Sequence, residues 1–279
     1  MFKKSMVLIP LFLFFLGATA GAAGAAQPQP WQMGFQPAAS PVMREINDFH
    51  NLLLVISVLI CAVVLGLLVY VMARFNEKAN PTPSKTTHNT FVEVLWTALP
   101  VLILVIIAVP SFKLLYFMDR THNPEMTIKA TGHQWYWSYD YPDHGNFTFD
   151  ALMVPDDELK EGQPRLLETD KRVVLPVDTD IRILLTSDDV IHNWAVPALG
   201  VKYDTVPGRI NETWVRIERE GTFYGQCSEL CGINHAYMPI TVEAVSKAAF
   251  AEWVEKAKRE FAGNGPNPVR VAGARAAGR

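Results

Sequence analysis

Two uncharged apolar runs leave this chain little choice of surroundings. Residues 51–72 carry no formal charge over 22 positions and consist mostly of Leu, Val and Ile. At the helical rise per residue they make about 33 Å of helix, enough to cross a hydrocarbon core. Residues 94–112 are also uncharged, with Pro100 and Pro110 inside. Proline is tolerated in a spanning helix where neighbours satisfy the freed carbonyls. A buried soluble hairpin is the competing reading, but two uncharged runs of this length argue against it. The pair predicts a transmembrane helical hairpin over 49–118. Its connection, 73–92, sets Arg74, Lys78 and Lys85 against Glu77, so it faces the cytoplasm and both flanks face outward. In a bacterium this means the inner (plasma) membrane, contact with membrane lipid, and a periplasmic remainder.

The segments before the hairpin agree with export. Lys3 and Lys4 precede a short apolar core at 7–16, followed by small residues at 18–20 and 23–26. Residues 1–26 therefore predict a signal peptide removed near Ala26, the core being too short for a third span. Residues 27–48, with Pro28, Pro30, Pro37 and Pro41, predict an irregular periplasmic segment.

After the hairpin the pattern changes. Residues 119–262 hold 24 Asp and Glu against 15 Lys and Arg, a balance of −9. Such acidity excludes nucleic acid as a natural partner and suits a cationic protein, with plain solubilising charge as the alternative. Short β-rich runs at 126–130, 134–141, 173–175, 181–186, 191–196, 213–217 and 240–245 predict an all-β sandwich or barrel. Residues 246–262 switch to helical period, with Phe250, Trp253, Val254, Ala257 and Phe261 on one face. Residues 263–279 are rich in Gly, Ala, Pro and Arg and lack the apolar content to fold, so a disordered or processed tail is expected.

The chemistry is concentrated in residues 225–239, G-Q-C-S-E-L-C-G-I-N-H-A-Y-M-P. Cys227, Cys231, His235 and Met238 fall within twelve residues, and His192 lies 35 positions upstream. Thiolate, imidazole and thioether form a soft ligand set that favours copper. A Cys227–Cys231 disulfide suits an oxidising compartment but leaves the other three residues unexplained. A zinc site has no need of Met238. One blue copper needs two His, one Cys and an axial Met, which idles the second Cys. Two coppers bridged by both thiolates use the whole set.

With these residues in place, the chain resembles subunit II of haem–copper cytochrome c oxidases, of the alphaproteobacterial and mitochondrial type. The run C-S-E-L-C-G-x-N-H-x-x-M and the stretch G-H-Q-W-Y-W-S-Y-D-Y at 132–141 carry the resemblance. It implies a cupredoxin-like Greek-key barrel over 119–262. It implies a dinuclear copper A centre on His192, Cys227, Cys231, His235 and Met238, with Glu229 binding through its carbonyl. The Glu229 side chain would also reach a magnesium ion shared with subunit I. Trp135 matches the family's electron-uptake tryptophan; by alternation alone it shares a strand face with Trp137 and Tyr139, which ordinarily means core packing. Asp140, Asp188 and Asp189 match acidic positions for docking cytochrome c. Glu93 matches a glutamate at the mouth of a proton channel, a reading the resemblance raises above the helix cap that the residues alone favour. The implied activity is uptake of single electrons from cytochrome c and their transfer to haem in subunit I, where O₂ is reduced to water with proton pumping. Alternatives are the copper A subunit of another haem–copper enzyme such as a nitric oxide reductase, a copper-free quinol-oxidase-type subunit, and a copper chaperone.

Overall fold

The computed structural model describes residues 26–119 and 123–261. The expected signal peptide, apart from Ala26, lies outside the described residues, as does the expected tail. Ala26 is buried and bridges Phe223, its N–H donating to the Thr222 carbonyl and its carbonyl accepting from Tyr224. A cut on its C-terminal side would remove that pairing.

Helix α1 runs Pro41–Arg74 and α2 runs Thr90–Asp119. Ser40 starts α1: its backbone is extended, its Oγ accepts from the Met43 N–H at 3.0 Å, and Pro41 supplies the preset φ of the first turn. Asn89 caps α2, its Oδ1 accepting from Val92 at 3.2 Å. Pro100 and Pro110 sit inside α2. The apolar windows of both helices bury nothing within the chain, which leaves their surface for lipid or a partner helix. The first turns of α1 differ, because Val42 and Met43 are buried against the following domain.

That domain is a β-sandwich of two five-stranded sheets. Its strands are β1 (Met126–His133), β2 (Tyr136–Tyr141), β3 (Phe147–Ala151), β4 (Val173–Pro176), β5 (Ile181–Ser187), β6 (His192–Val196), β7 (Val201–Thr205), β8 (Asn211–Val215), β9 (Gly221–Cys227) and β10 (Pro239–Val245). One sheet has the order β3-β2-β1-β5-β8, the other β4-β10-β9-β6-β7. Parallel β1–β5 and β4–β10 pairs mark where the chain crosses between hairpins. Strand β5 shows how sequence writes the core: Ile181, Ile183 and Leu185 are fully buried while Arg182, Leu184 and Thr186 between them are half-buried. Trp137, Tyr139, Trp194 and Phe223 fill the space between the sheets, and the Trp194 indole N–H donates to the Tyr139 hydroxyl at 3.1 Å. Helix α3 (Lys247–Glu260) is capped by Ser246 and buries Phe250, Val254 and Ala257.

The strands depart from expectation in several places, and β3, β7 and β9 were not expected at all. Trp135 is not on a strand: β2 begins at Tyr136, and Gln134 and Trp135 form the turn after β1. The expected strand at 213–217 lies two residues earlier. Strand β9 was hidden by Gly221 and Gly225, which weaken strand propensity. Gly225 is there for closeness: a Cβ on it would lie 2.0 Å from the Ala195 carbonyl oxygen, so only glycine lets β6 pair with β9.

Two mounts join the helices to the domain. At α1, Ser40 Oγ donates to the Leu199 carbonyl at 2.7 Å, Ala39 exchanges backbone bonds with Ala198 and Glu218, and Arg44 pairs with Glu218. At the end of α2, the Trp214 indole N–H donates to the Phe117 carbonyl at 3.2 Å, with the two rings edge to face at 5.4 Å.

Candidate metal centre

Strand β9 ends on Cys227 and β10 begins at Pro239, so residues 228–238 form the loop of a β-hairpin. The Cys227 N–H donates to the Met238 carbonyl at 3.2 Å, closing the base of that loop. The Ser228 N–H donates to the Asn193 carbonyl, which ties the loop to β6 beside His192. The fold therefore brings the distant imidazole to the two thiols.

The donor atoms converge. Cys227 Sγ lies 3.8 Å from Cys231 Sγ, 3.9 Å from His192 Nδ1 and 3.3 Å from the Glu229 carbonyl oxygen. Cys231 Sγ lies 3.5 Å from His235 Nδ1 and 3.5 Å from Met238 Sδ. Each thiol thus has its own imidazole. His192 is fully buried, Cys227, Cys231 and Met238 nearly so, and His235 is half-buried at the rim. Both cysteines are free, and their separation is far beyond the roughly 2.05 Å of a disulfide. A metal bonded to both thiolates at about 2.3 Å fits between sulfurs this far apart. Among the described residues, His192, Cys227 and Cys231 are the cluster whose donor atoms all lie within 4.8 Å of one another. The donors fit soft metal.

Electrostatics separates the two thiols. Burial pushes Cys227 up, but its hydrogen bonds, first of all with His192, outweigh this and bring it to about 7. Burial and the neighbouring Cys227 charge push Cys231 up to about 12. A metal cation supplies the positive charge that makes both thiolates affordable together.

His192 is oriented from behind. Asp189 Oδ1 lies 2.7 Å from its Nε2, so Nε2 carries the proton and Nδ1 is turned toward the sulfur. Burial works against the His192 charge, yet its bonds to Cys227 and Asp189 raise its pKa. Asp189 in turn is opposed by burial but is held below the usual carboxylate range by His192 and the Val190 and Gln134 N–H groups.

The expected docking trio divides. Only Asp188 is well exposed, at 68% of its side chain. Asp189 is committed to His192 and to two backbone N–H groups. Asp140 is buried, accepts from Thr148 and pairs with Lys129 at 3.4 Å. Asp140 and Asp189 are thus tied to partners inside the domain, while Asp188 stands free of backbone N–H groups at its carboxylate among the described residues.

Trp135 reaches the ligand loop directly. Its indole N–H donates to the Cys231 carbonyl at 3.2 Å, and Gln134 Nε2 donates to the same oxygen at 2.7 Å. Gly232 makes room: its φ is +124°, and a Cβ there would lie 3.0 Å from the Trp135 ring. Gln134, Gly232 and the orienting role of Asp189 were not anticipated from sequence. The D-x-x-H spacing and the Gly after Cys231 were the available signals. Glu93 lies in the first turn of α2, at the end of the hairpin away from the domain, where its Oε1 accepts from the Asn89 N–H at 3.2 Å.

Fold and donors define a class: a β-sandwich domain on two membrane-spanning-type helices, with a thiolate-rich metal loop. Comparison with known proteins narrows it. Residues 28–114 match the family model for the cytochrome c oxidase subunit II transmembrane domain, and residues 126–245 that for its periplasmic domain. A probable cytochrome c oxidase subunit 2 of Rickettsia bellii (strain RML369-C) is 51% identical over 265 residues, covering 95% of this chain and 96% of that one. Cytochrome c oxidase subunit 2 of Oenothera berteroana is 51% identical over 248 residues, covering 87% and 94%. The crystal structure of the periplasmic domain of subunit II of cytochrome oxidase of Bradyrhizobium japonicum is 54% identical, covers 51% of this chain and 99% of that one, and has a TM-score of 0.48. The chain belongs to the cytochrome c oxidase subunit II family. It is an oxidoreductase-complex subunit with two membrane-spanning helices, a periplasmic-type domain and a copper A-like His/Cys/Cys site.

Proposed function

We propose that this chain takes single electrons from a c-type cytochrome and delivers them toward haem in subunit I of an O₂-reducing, proton-pumping oxidase. The observation that carries the reading is the paired thiols, each with its own imidazole, joined through the Cys231 carbonyl to the Trp135 indole. His192, Cys227, Cys231, His235, Met238 and the Glu229 carbonyl would hold two coppers, and such a pair would supply one-electron chemistry with a small reorganisation barrier. Buried Met238 and the sandwich core exclude water from the sulfurs. Trp135 offers a half-buried aromatic surface in contact with the loop, and exposed Asp188 beside its turn attracts a cationic donor. The exposed Glu229 carboxylate is free to contribute to a magnesium site shared with subunit I. Glu93 caps α2 on the cytoplasmic side and stands where a proton path into subunit I would begin.

Metal analysis and electron paramagnetic resonance on the full chain purified in detergent test this. Two coppers per chain with an electron shared equally between them are expected. Zinc, or one copper with a localised spin, overturns the reading. Trp135→Gln is expected to slow electron uptake from cytochrome c and leave the copper spectrum intact; unchanged uptake removes Trp135 from the route. A nitric oxide reductase assignment has no observation in its favour.

A further inference from the structure

We propose that His133 is a positioning residue of the docking face: its imidazole decides whether the Asp188 carboxylate is offered to an incoming cationic protein or is held by the ring. The inference rests on the docking reading above and adds a control to it.

The geometry fixes the ring's state. His133 ends β1, directly before the Gln134–Trp135 turn, and the Tyr136 ring stacks on it at 4.5 Å and 8°. Ser138 Oγ lies 2.6 Å from Asp150 Oδ1, so the hydroxyl proton goes to that carboxylate. Ser138 Oγ is then an acceptor, and His133 Nε2 at 2.9 Å must be its donor. A neutral ring with its proton on Nε2 has a bare lone pair on Nδ1. That lone pair faces Asp188 Oδ2 at 3.6 Å, with no proton between them and too long for a hydrogen bond. In this state Asp188 has no hold on the ring and keeps its charge for solvent or a partner. A proton on Nδ1 turns the same contact into an ion pair, and Asp188 is drawn inward and neutralised.

The surroundings set where the change occurs. Asp188 and Asp189 face the ring from the β5–β6 loop, Asp150 from β3, Tyr136 and Ser138 from β2, and His192 from β6. Burial is the largest influence and lowers the pKa of His133 below the ordinary 6.5, with the three aspartates acting against it. The docking face is therefore fully charged at neutral pH and loses charge in acid.

The test uses the assembled oxidase containing this chain and a soluble, lysine-rich cytochrome c. Copper reduction is followed by stopped flow at low ionic strength from pH 5 to 8, with the salt dependence measured at each pH. The wild-type second-order rate constant is expected to fall about threefold to tenfold toward pH 5 and its salt slope to flatten, the size of effect that one lost docking charge produces. His133→Gln is expected to keep the high-pH rate throughout, and His133→Lys to show the low rate throughout. A flat wild-type profile overturns the inference without any variant. So does a His133→Gln enzyme with the wild-type profile; His133→Asn replaces it if Gln disturbs the copper spectrum. Asp188→Asn separates the two layers. If it leaves rate and salt slope unchanged, the docking reading itself fails. If it lowers the rate and removes the pH dependence, both stand. If it lowers the rate but keeps the wild-type pH profile, only the role of His133 fails.

Discussion

The two halves of this chain bury apolar surface in different places. In α1 and α2 the apolar windows have no buried residues within the chain, and side chains such as Leu59, Leu65 and Val109 are more than half exposed. In the β domain, Ile128, Trp137, Ile183, Leu185, Trp194 and Phe223 are fully buried against one another. Apart from their ends and the carbonyls freed by Pro100 and Pro110, the helices satisfy their backbone groups internally and ask only that their surroundings be apolar. The sandwich asks for particular shapes at particular places, down to a glycine where a methyl group would strike a carbonyl. Tolerance to substitution should therefore differ sharply between the halves, and the metal loop should be the least tolerant part.

The largest expected effect tests that last point. Cys227→Ala removes the sulfur that faces His192, Cys231 and the Glu229 carbonyl, so copper content and electron uptake should both fall to background while the sandwich still folds. A Cys227→Ala protein with normal copper would break the account of the loop. Next comes Gly225→Ala, whose Cβ would meet the Ala195 oxygen at 2.0 Å. Forcing β6 and β9 apart should cost about 3 kcal/mol or more, read as a loss in domain unfolding free energy. Asp189→Asn should leave folding intact but weaken copper binding about 10- to 100-fold, because His192 loses the carboxylate that fixes its tautomer. Competition against a copper chelator measures it, and unchanged affinity would remove Asp189 from the support of the metal site. Smallest is Leu59→Ala in the first span, expected to change the domain's unfolding by less than about 0.5 kcal/mol. A shift as large as that of Gly225→Ala would mean that the two halves share one cooperative unit.

The same contrast explains what could be read from the residues alone. The spans are legible because a hydrocarbon solvent selects composition, and composition needs no partner. The loop at 227–238 is legible because thiol, imidazole and thioether announce their chemistry wherever they stand. Trp135 and the aspartates were harder. The alternation that puts Trp135 in line with Trp137 holds on a strand, but the chain turns at Gln134 and lifts the indole onto the Cys231 carbonyl. Asp188 and Asp189 are neighbours of identical type. What separates them is the Gln134 N–H, 55 positions away, and the proton on His192, neither of which any local pattern contains. Strand β9 was missed for a related reason: Gly225 answers to Ala195 of β6, not to its own neighbours.

The attachment of the domain at both helices has a mechanical consequence. A body hung from one helix can swing and spin about that single support. Here α1 grips it through Ser40 and Arg44, and α2 grips it separately through Phe117 and Trp214. A second support removes the spin and turns the swing into bending of a braced frame. Electron tunnelling weakens steeply with every added ångström, so under the proposed function the site would benefit from a mount that does not wander. In that sense the membrane helices serve as the legs of an instrument, holding the sulfurs at constant height and heading above the bilayer.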